Sequence, residues 1–259
     1  YDLEAIYSIP NSKNQYIVME STGVCYRIVL DETAEQIKIE GKFKLPGLNK
    51  SMNLEGVALF ESDENIKIFY GDRGSNSRTS TLFHANYNDG LEIEVQINPE
   101  YGSIENAKTQ AEKYALVIGR LTTELRKDVK TVWIHKGFEN FGGGNNNLLI
   151  YPEWSVYYYE SQGILEETLV HESAHSSLDS YHANNPDWLL AQKLDCNFIS
   201  DYAKQHPLRE DIAESYLTYL AVRYRSDRIS PELKTMIESA IPNRIKYFDS
   251  QKFNMYPIE

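Results

Sequence analysis

The stretch Ile164-Leu165-Glu166-Glu167-Thr168-Leu169-Val170-His171-Glu172-Ser173-Ala174-His175-Ser176-Ser177-Leu178-Asp179 decides the fold that we expect. It contains neither Pro nor Gly, so the pattern predicts one continuous helix. Residues four apart lie above one another on the same helix face, so His171 and His175 can hold one metal ion between their rings. Glu172 would then lie beside the ion and could take a proton from water bound there.

The apolar residues of this stretch indicate that the helix is built into a core. Leu165, Leu169 and Leu178, with Val170 and Ala174 beside them, form one apolar side. The His-Glu-x-x-His pattern also occurs by chance on ordinary surface helices, so this setting adds weight to the metal interpretation.

The third metal ligand has more than one candidate. One longer metal-binding pattern is His-Glu-x-x-His-x-x-Gly-x-x-His, in which the last His is the third ligand. Here Leu178 stands at the Gly position and Tyr181 at the last His position, and His182 comes one residue late. Asp179 is one turn from His175, which favours a hydrogen bond over ligation. Glu210, 35 residues after His175 (210 − 175), is followed at i+4 by Glu214. On one helix face the first carboxylate could ligate and the second could orient a ligand His, although both also suit a solvated acidic first turn.

The motif and the later Glu210-Asp211-Ile212-Ala213-Glu214-Ser215 segment resemble the gluzincin peptidases, the broad group that includes thermolysin and anthrax lethal factor. Residues 93–259 as a whole resemble a family of zinc metallopeptidases. The shared segments are 164–170, 191–200 and 240–245. The resemblance implies Zn²⁺ held by His171, His175 and Glu210, with Glu172 as the general base.

The same resemblance implies three further features of the site. Glu214 would support a ligand His, as would Asp179 if it hydrogen-bonds to His175. A Tyr near the third ligand would stabilise the oxyanion, with Tyr202 the nearest and Tyr216 as a competitor. The implied fold is α+β: a zincin-like metallopeptidase domain with a small mixed sheet, an active-site helix and C-terminal helices.

The Gly-rich segment Phe141-Gly142-Gly143-Gly144-Asn145-Asn146 precedes a predicted strand, residues 147–151. Such a segment lets a peptide backbone approach a sheet edge closely, so we expect Gly144, Asn145 and Asn147 to bind an extended substrate. A plain flexible hairpin is the competing interpretation. A phosphate-binding loop is excluded because no helix and no Lys-Ser/Thr follows.

Composition narrows the possible partners. The 259 residues carry a formal charge of −12, from 38 acidic and 26 basic side chains, which argues against nucleic acid as a partner. No apolar run approaches the roughly 20 residues of a membrane span.

Two cysteines, Cys25 and Cys196, are too few for a disulfide scaffold. They could pair with each other, but we expect free thiols, because the two residues fall in separate predicted modules. Three features favour a secreted or extracellular protein: the Asn49-Lys50-Ser51 sequon, the 19 Tyr residues, and the first residue, Tyr1, which fits a removed leader or a shortened chain.

Residues 1–92 are predicted to form a separate β-rich region, with residues 93–259 as the second domain. Short β-branched and aromatic runs lie at 16–19, 25–30, 37–39 and 66–70. Asp2-Leu3-Glu4-Ala5-Ile6 returns about 51 residues later as Asn53-Leu54-Glu55-Gly56-Val57-Ala58 (53 − 2). With Gly71-Asp72-Arg73-Gly74, these segments resemble blades of esterase-like or phytase-like propellers, which need about 4 to 8 blades to close.

In the second domain the spacing predicts strands at 91–97 and 130–135 and a helix from Ile104 to about Lys127, capped by Ser103. Later helices are predicted from Asp187 through Tyr202, from Arg209 to about Tyr224, and from Pro231. A polar tail follows residues 247–249.

The function that we expect is zinc-dependent hydrolysis of a peptide or protein substrate. Two alternatives remain: a catalytically silent zinc-binding recognition protein, and an esterase-like or phytase-like hydrolase whose chemistry lies in the β-rich region. The second alternative predicts activity that does not depend on His171. A Gly-x-Ser-x-Gly elbow is absent from the sequence, which weakens an ordinary serine esterase.

Overall fold

A computed structural model describes residues 3–8, 14–20, 24–31, 37–44, 54–59, 66–72 and 81–259. The sequon at 49–51, Asp2, Asn53 and the Arg73-Gly74 pair lie outside these ranges. The chain is a mixed α+β protein, as predicted. It divides into two compact units, residues 1–119 with 132–136, and residues 120–131 with 137–259. Within the described residues, no helix is long and apolar enough to cross a bilayer.

The first unit contains two antiparallel meanders and one long helix. The first meander, in spatial order, comprises β1 (Leu3–Ser8), β2 (Gln15–Glu20), β3 (Val24–Leu30) and β4 (Ile37–Lys44). The second comprises β5 (Leu54–Leu59), β6 (Ile66–Asp72), β7 (Thr81–Tyr87) and β8 (Glu92–Ile97). Strand β9 (Thr131–Ile134), whose residues 132–134 belong to this unit, lies next to β8 in the same sheet. The two segments of the 51-residue echo fall on β1 and β5, so each copy opens one meander.

The predicted boundary at residue 93 falls inside the first unit. Strand β8 pairs with β7, and helix α1 (Ile104–Gly119) contacts β6, β7 and β8. Ile93, Val95 and Ile97 alternate as buried residues along β8. The buried side of α1 carries Ala107, Ala111, Tyr114, Ala115 and Ile118. These apolar faces cover one another, which is why the compact unit extends to residue 119.

The predicted helix from Ile104 to Lys127 is interrupted. Helix α1 ends at Gly119, a residue with low helix propensity, and Thr122 caps a new short helix, α2 (Thr123–Arg126). The Thr122 hydroxyl accepts a hydrogen bond from the Leu125 amide at 3.3 Å. Ser103 accepts a hydrogen bond from the Asn106 amide at 3.2 Å, which confirms the predicted start of α1.

The second unit consists of one hairpin and a set of helices. The hairpin strands are β10 (Gly142–Gly144) and β11 (Asn147–Ile150). The helices are the short α2 described above, α3 (Pro152–Trp154), a π-helix (Ser155–Glu160), α4 (Leu165–Ser177), α5 (Asp179–His182), α6 (Pro186–Asp195), α7 (Asp201–Gln205), α8 (Asp211–Tyr224), α9 (Pro231–Ala240) and α10 (Pro242–Ser250). Single 3-10 turns lie at Pro99–Tyr101 in the first unit and at Ser226–Arg228 in the second.

The helix predicted from Asp187 through Tyr202 is two helices. Asn185, not Asp187, caps the first, because its side chain accepts a hydrogen bond from the Asp187 amide at 2.9 Å. Cys196 adopts the left-handed conformation (φ 51°) and ends α6. Ser200 then caps α7. Residues 247–249, predicted to lead into a tail, belong to α10.

Both cysteines are free thiols, as predicted. Cys25 is fully buried in β3, and this burial raises the pKa of its thiol to about 12. Cys196 is exposed at the end of α6.

Candidate metal centre

Helix α4 carries the two His residues toward a cleft and its apolar side into the core of the second unit. Leu169, Ala174 and Leu178 are fully buried. Two hydroxyls fix the helix to its neighbours: Ser177 donates to the Leu125 carbonyl at 2.7 Å, and Ser176 donates to the Asn147 carbonyl at 3.0 Å. The direction of the His171 and His175 side chains therefore follows from how the opposite face of α4 packs.

Three side-chain atoms converge at the centre of the cleft. The Nε2 atoms of His171 and His175 are 3.2 Å apart. Glu210 Oε2 lies 3.4 Å from His171 Nε2 and 3.2 Å from His175 Nε2. Glu210 is the N-cap residue of α8, which contacts α4 directly. These three residues form a group that can hold a metal ion.

The distal ring nitrogens have carboxylate partners. His175 Nδ1 lies 2.8 Å from Asp179 Oδ2, and His171 Nδ1 lies 3.3 Å from Glu214 Oε1. An Nδ1–H that donates to a carboxylate leaves Nε2 as an acceptor in a neutral ring. Two such acceptors cannot hydrogen-bond to each other, so the 3.2 Å contact places two lone pairs together, next to a carboxylate oxygen.

The two oxygens of Glu210 have different surroundings. Oε1 accepts a hydrogen bond from the Tyr202 hydroxyl at 3.1 Å and lies 3.1 Å from Arg209 Nε. Oε2 is buried and has no hydrogen-bond partner, in a residue that is only 2% exposed. A buried oxygen without a partner costs free energy, and a cation bound by the two rings and this oxygen would remove that cost.

Burial and charge act against each other on the ionisable groups of the cleft. Burial raises the pKa of Glu172, while the neighbouring His171 and His175 lower it. Burial lowers the pKa of His175, but the hydrogen bond and charge of Asp179 outweigh it and raise that pKa overall. The hydrogen bond from His171 lowers the pKa of Glu214. Each imidazole ring therefore has a carboxylate beside its Nδ1 atom, Asp179 for His175 and Glu214 for His171.

Glu172 lies in the wall of the cleft beside the three converging atoms. Strand β10 runs against it so closely that a Cβ on Gly143 would lie 1.9 Å from the Glu172 carbonyl oxygen. A backbone hydrogen bond from Gly143 also reaches the Glu172 side chain. Glycine at 143 is therefore required by this close approach.

The structure separates the remaining candidates. The His182 ring bonds to the Tyr247 hydroxyl at 2.7 Å and is outside the convergent group. Tyr202 lines the cleft and is 47% exposed, whereas Tyr216 is fully buried against aromatic residues of the core. Asp179 forms a hydrogen bond with His175 and is outside the convergent group; the hydrogen bond was expected from its spacing.

The predicted substrate-binding residues differ in their positions. Gly144 and Asn145 line the cleft, but the Gly144 amide already donates to the Ser176 hydroxyl at 3.0 Å. The Asn147 side chain accepts a hydrogen bond from Thr131 at 2.8 Å, and its carbonyl accepts from Ser176. Asn147 therefore holds the hairpin in place and does not line the cleft. The strand β10 itself was not predicted, because three glycines carry no side-chain pattern.

An aromatic recess beside the metal group was missed by the sequence reasoning. It lies next to His171 and Glu172 and is lined by Phe141, Trp154, Tyr158, Tyr159 and Ile164. The π-helix supplies two of these tyrosines, and π-helical turns often mark functional sites. The run Tyr157-Tyr158-Tyr159 directly after Trp154 was the signal available in the sequence.

Comparison of the chain with protein-family models, with curated proteins and with solved structures finds no match. The cleft and its residues are thus the basis for assigning a function.

Proposed function

We propose that this protein is a zinc-dependent peptidase, with His171, His175 and Glu210 as the metal ligands. The observation that carries the proposal is the meeting of two imidazole acceptors with the buried, partnerless Oε2 of Glu210. Zinc bonds of roughly 2.0–2.2 Å in tetrahedral geometry separate ligand atoms by about 3.3–3.6 Å, and the shorter bonds to His nitrogen give the lower end of that range. The three separations, 3.2, 3.2 and 3.4 Å, agree with that geometry to within about 0.2 Å.

Zinc bound there would supply Lewis-acid activation of water and of a substrate carbonyl. Held by the two histidines and one glutamate, zinc would have three protein ligands, the number typical of catalytic zinc sites. Asp179 and Glu214 hold the two rings in the tautomers that present Nε2.

Glu172 is the proposed general base. It directly follows His171 on α4, it lines the cleft, and burial raises the pKa of its carboxyl. It would take a proton from the attacking water and deliver it to the leaving amine. The Tyr202 hydroxyl donates to Glu210 Oε1 at 3.1 Å, and with substrate bound it would turn this single proton to the oxyanion that develops on the substrate carbonyl.

The substrate we propose is a peptide that lies along β10 and places an apolar side chain in the aromatic recess. Phe138 and Tyr157, which are 49% and 64% exposed, extend the aromatic surface beyond the recess through edge contacts. Exposed aromatic side chains beside a cleft favour binding of apolar groups.

Removal of the metal tests the proposal directly. The purified protein should contain about one equivalent of zinc by elemental analysis, as one three-ligand site requires. A chelator should abolish cleavage of a casein or peptide-library substrate, and added zinc should restore it. Bound zinc without cleavage would instead favour the recognition-protein alternative. Cleavage that survives His171→Ala would favour a hydrolase site elsewhere in the chain.

Substitution of Asp179 tests how the ligand rings are held. Asp179→Ala should weaken zinc binding by about 10–100-fold, because the His175 ring loses the acceptor that fixes its tautomer. Competition with a chromophoric chelator measures the affinity. Asp187→Ala, an exposed first-turn aspartate on α6, is the matched control and should bind zinc like the wild type. Equal affinities for all three proteins would contradict the proposed role of Asp179.

A further inference from the structure

The second unit contains a cavity that is distinct from the metal cleft and shares no lining residue with it or with the aromatic recess. Its volume is about 360 Å³. Helices α4, α8 and α9 form its walls through Val170, Leu217, Ala221, Leu233 and Ile237. The α4 and α8 helices therefore present the metal group on one side and this cavity on the other.

The lining is mainly apolar, and part of it is exposed to solvent. Met236 is 64% exposed and Leu233 is 41% exposed, and both line the cavity on α9. Small-molecule sites are typically concave, mainly apolar and roughly 300–1,000 Å³ in volume. A ligand that covered these two side chains would remove apolar surface from water, which favours binding.

Charged groups line the same cavity, with cations in excess. Three arginines contribute to it, Arg120 from the segment after α1, and Arg225 and Arg228 from the turn after α8. Two carboxylates, Glu166 and Glu167, also contribute, but both lie in the first turn of α4, where the helix N-terminus compensates negative charge. Arg225 already pairs with Asp227, with 4.0 Å between Nε and Oδ1. The Arg228 side chain is exposed, and within the described residues it forms no ion pair.

We propose that this cavity binds a single-chain amphipathic anion, with an apolar chain against α8 and α9 and an anionic head group, such as a carboxylate, at the arginines. The apolar lining selects the chain, and the guanidinium groups select the charge. The chain as a whole has a net charge of −12, which by itself favours cationic ligands. A preference for an anion would therefore have to come from the local arginines.

Three probes of equal chain length test the charge and the apolar part separately. Dodecanoate and dodecyltrimethylammonium, each below its micelle concentration, and dodecanol, below its solubility limit, are titrated into the full chain, with binding followed by calorimetry. We expect dodecanoate to bind with a stoichiometry of one and at least about tenfold more tightly than the ammonium probe. Equal binding of all three probes, or no binding of dodecanoate, would overturn the proposal.

Two variants locate the site. Arg228→Glu should weaken dodecanoate binding by about tenfold and leave dodecanol binding unchanged, since one exposed cation is reversed. Lys204→Glu, an exposed residue of α7 outside the cavity lining, makes the same change in net charge and should not affect dodecanoate binding. Ala221→Phe should fill the cavity and weaken dodecanoate and dodecanol alike. Equal weakening by Arg228→Glu and Lys204→Glu would show general charge attraction and overturn the proposal.

Discussion

Glu172→Gln is expected to lower the kcat of peptide hydrolysis by about 10²–10⁴-fold, the range of general acid–base catalysis, while zinc stays bound. Gln has the same size as Glu and keeps the contact with β10, but its amide cannot accept the proton of the attacking water. None of the three proposed ligand atoms is altered, because Glu172 lies outside the convergent group.

The measurement pairs two readouts on each variant, zinc content by elemental analysis and kcat on one peptide substrate. Glu153→Gln, an exposed glutamate of α3, is the matched control and should behave like the wild type in both. A Glu172→Gln protein that cleaves within a few-fold of wild type would remove Glu172 as the base. A variant that loses its zinc would instead show that Glu172 supports the metal.

Arg244→Ala is expected to destabilise the second unit by about 3–5 kcal/mol, because it leaves buried carboxylates without their cation. Arg244 is fully buried and lies 3.0 Å from Asp195 Oδ2 and 2.8 Å from Asp211 Oδ2. Both carboxylates are fully buried as well. Burial raises the pKa of Asp211, and the charge of Arg244 opposes that rise.

The network also bears on the metal group. Asp211 directly follows Glu210, so Arg244 ties the start of α8 to α10, and through Asp195 to the end of α6. The guanidinium stacks 4.8 Å from the centre of the Phe198 ring. Loss of Arg244 should therefore lower zinc affinity as well as stability, since it loosens the start of α8, where Glu210, the proposed third ligand, lies.

An exposed arginine provides the control. Arg223 on α8 also pairs with two carboxylates, Asp249 at 2.8 Å and Glu238 at 3.3 Å, but its side chain is 35% exposed. Arg223→Ala should cost no more than about 1 kcal/mol, the usual range for surface ion pairs. Urea unfolding followed by far-ultraviolet circular dichroism, which reports the helices of the second unit, measures both free energies of unfolding. Equal losses for the two variants would contradict the role given to burial.

The sequence by itself determined the features that depend on near neighbours in the chain. His171 and His175 share a face because the helical repeat places residues four apart together, whatever surrounds the helix. Strand β8 follows from the alternation of Ile93, Val95 and Ile97, and α9 from the Ser230 cap followed by Pro231. These signals act over one or two turns of chain, so no knowledge of the packing was needed.

The tertiary structure alone decided which distant groups meet. Spacing left His182 and Glu210 as rival third ligands, and the choice depends on where α8 packs against α4. The start of α8 is also held by the buried pairing of Arg244 with Asp195 and Asp211, which brings together segments far apart in sequence. Asn147 and the aromatic recess likewise depend on contacts between segments far apart in sequence. Helical periodicity is a property of the backbone, whereas the partner of a buried carboxylate is selected by the whole folded chain.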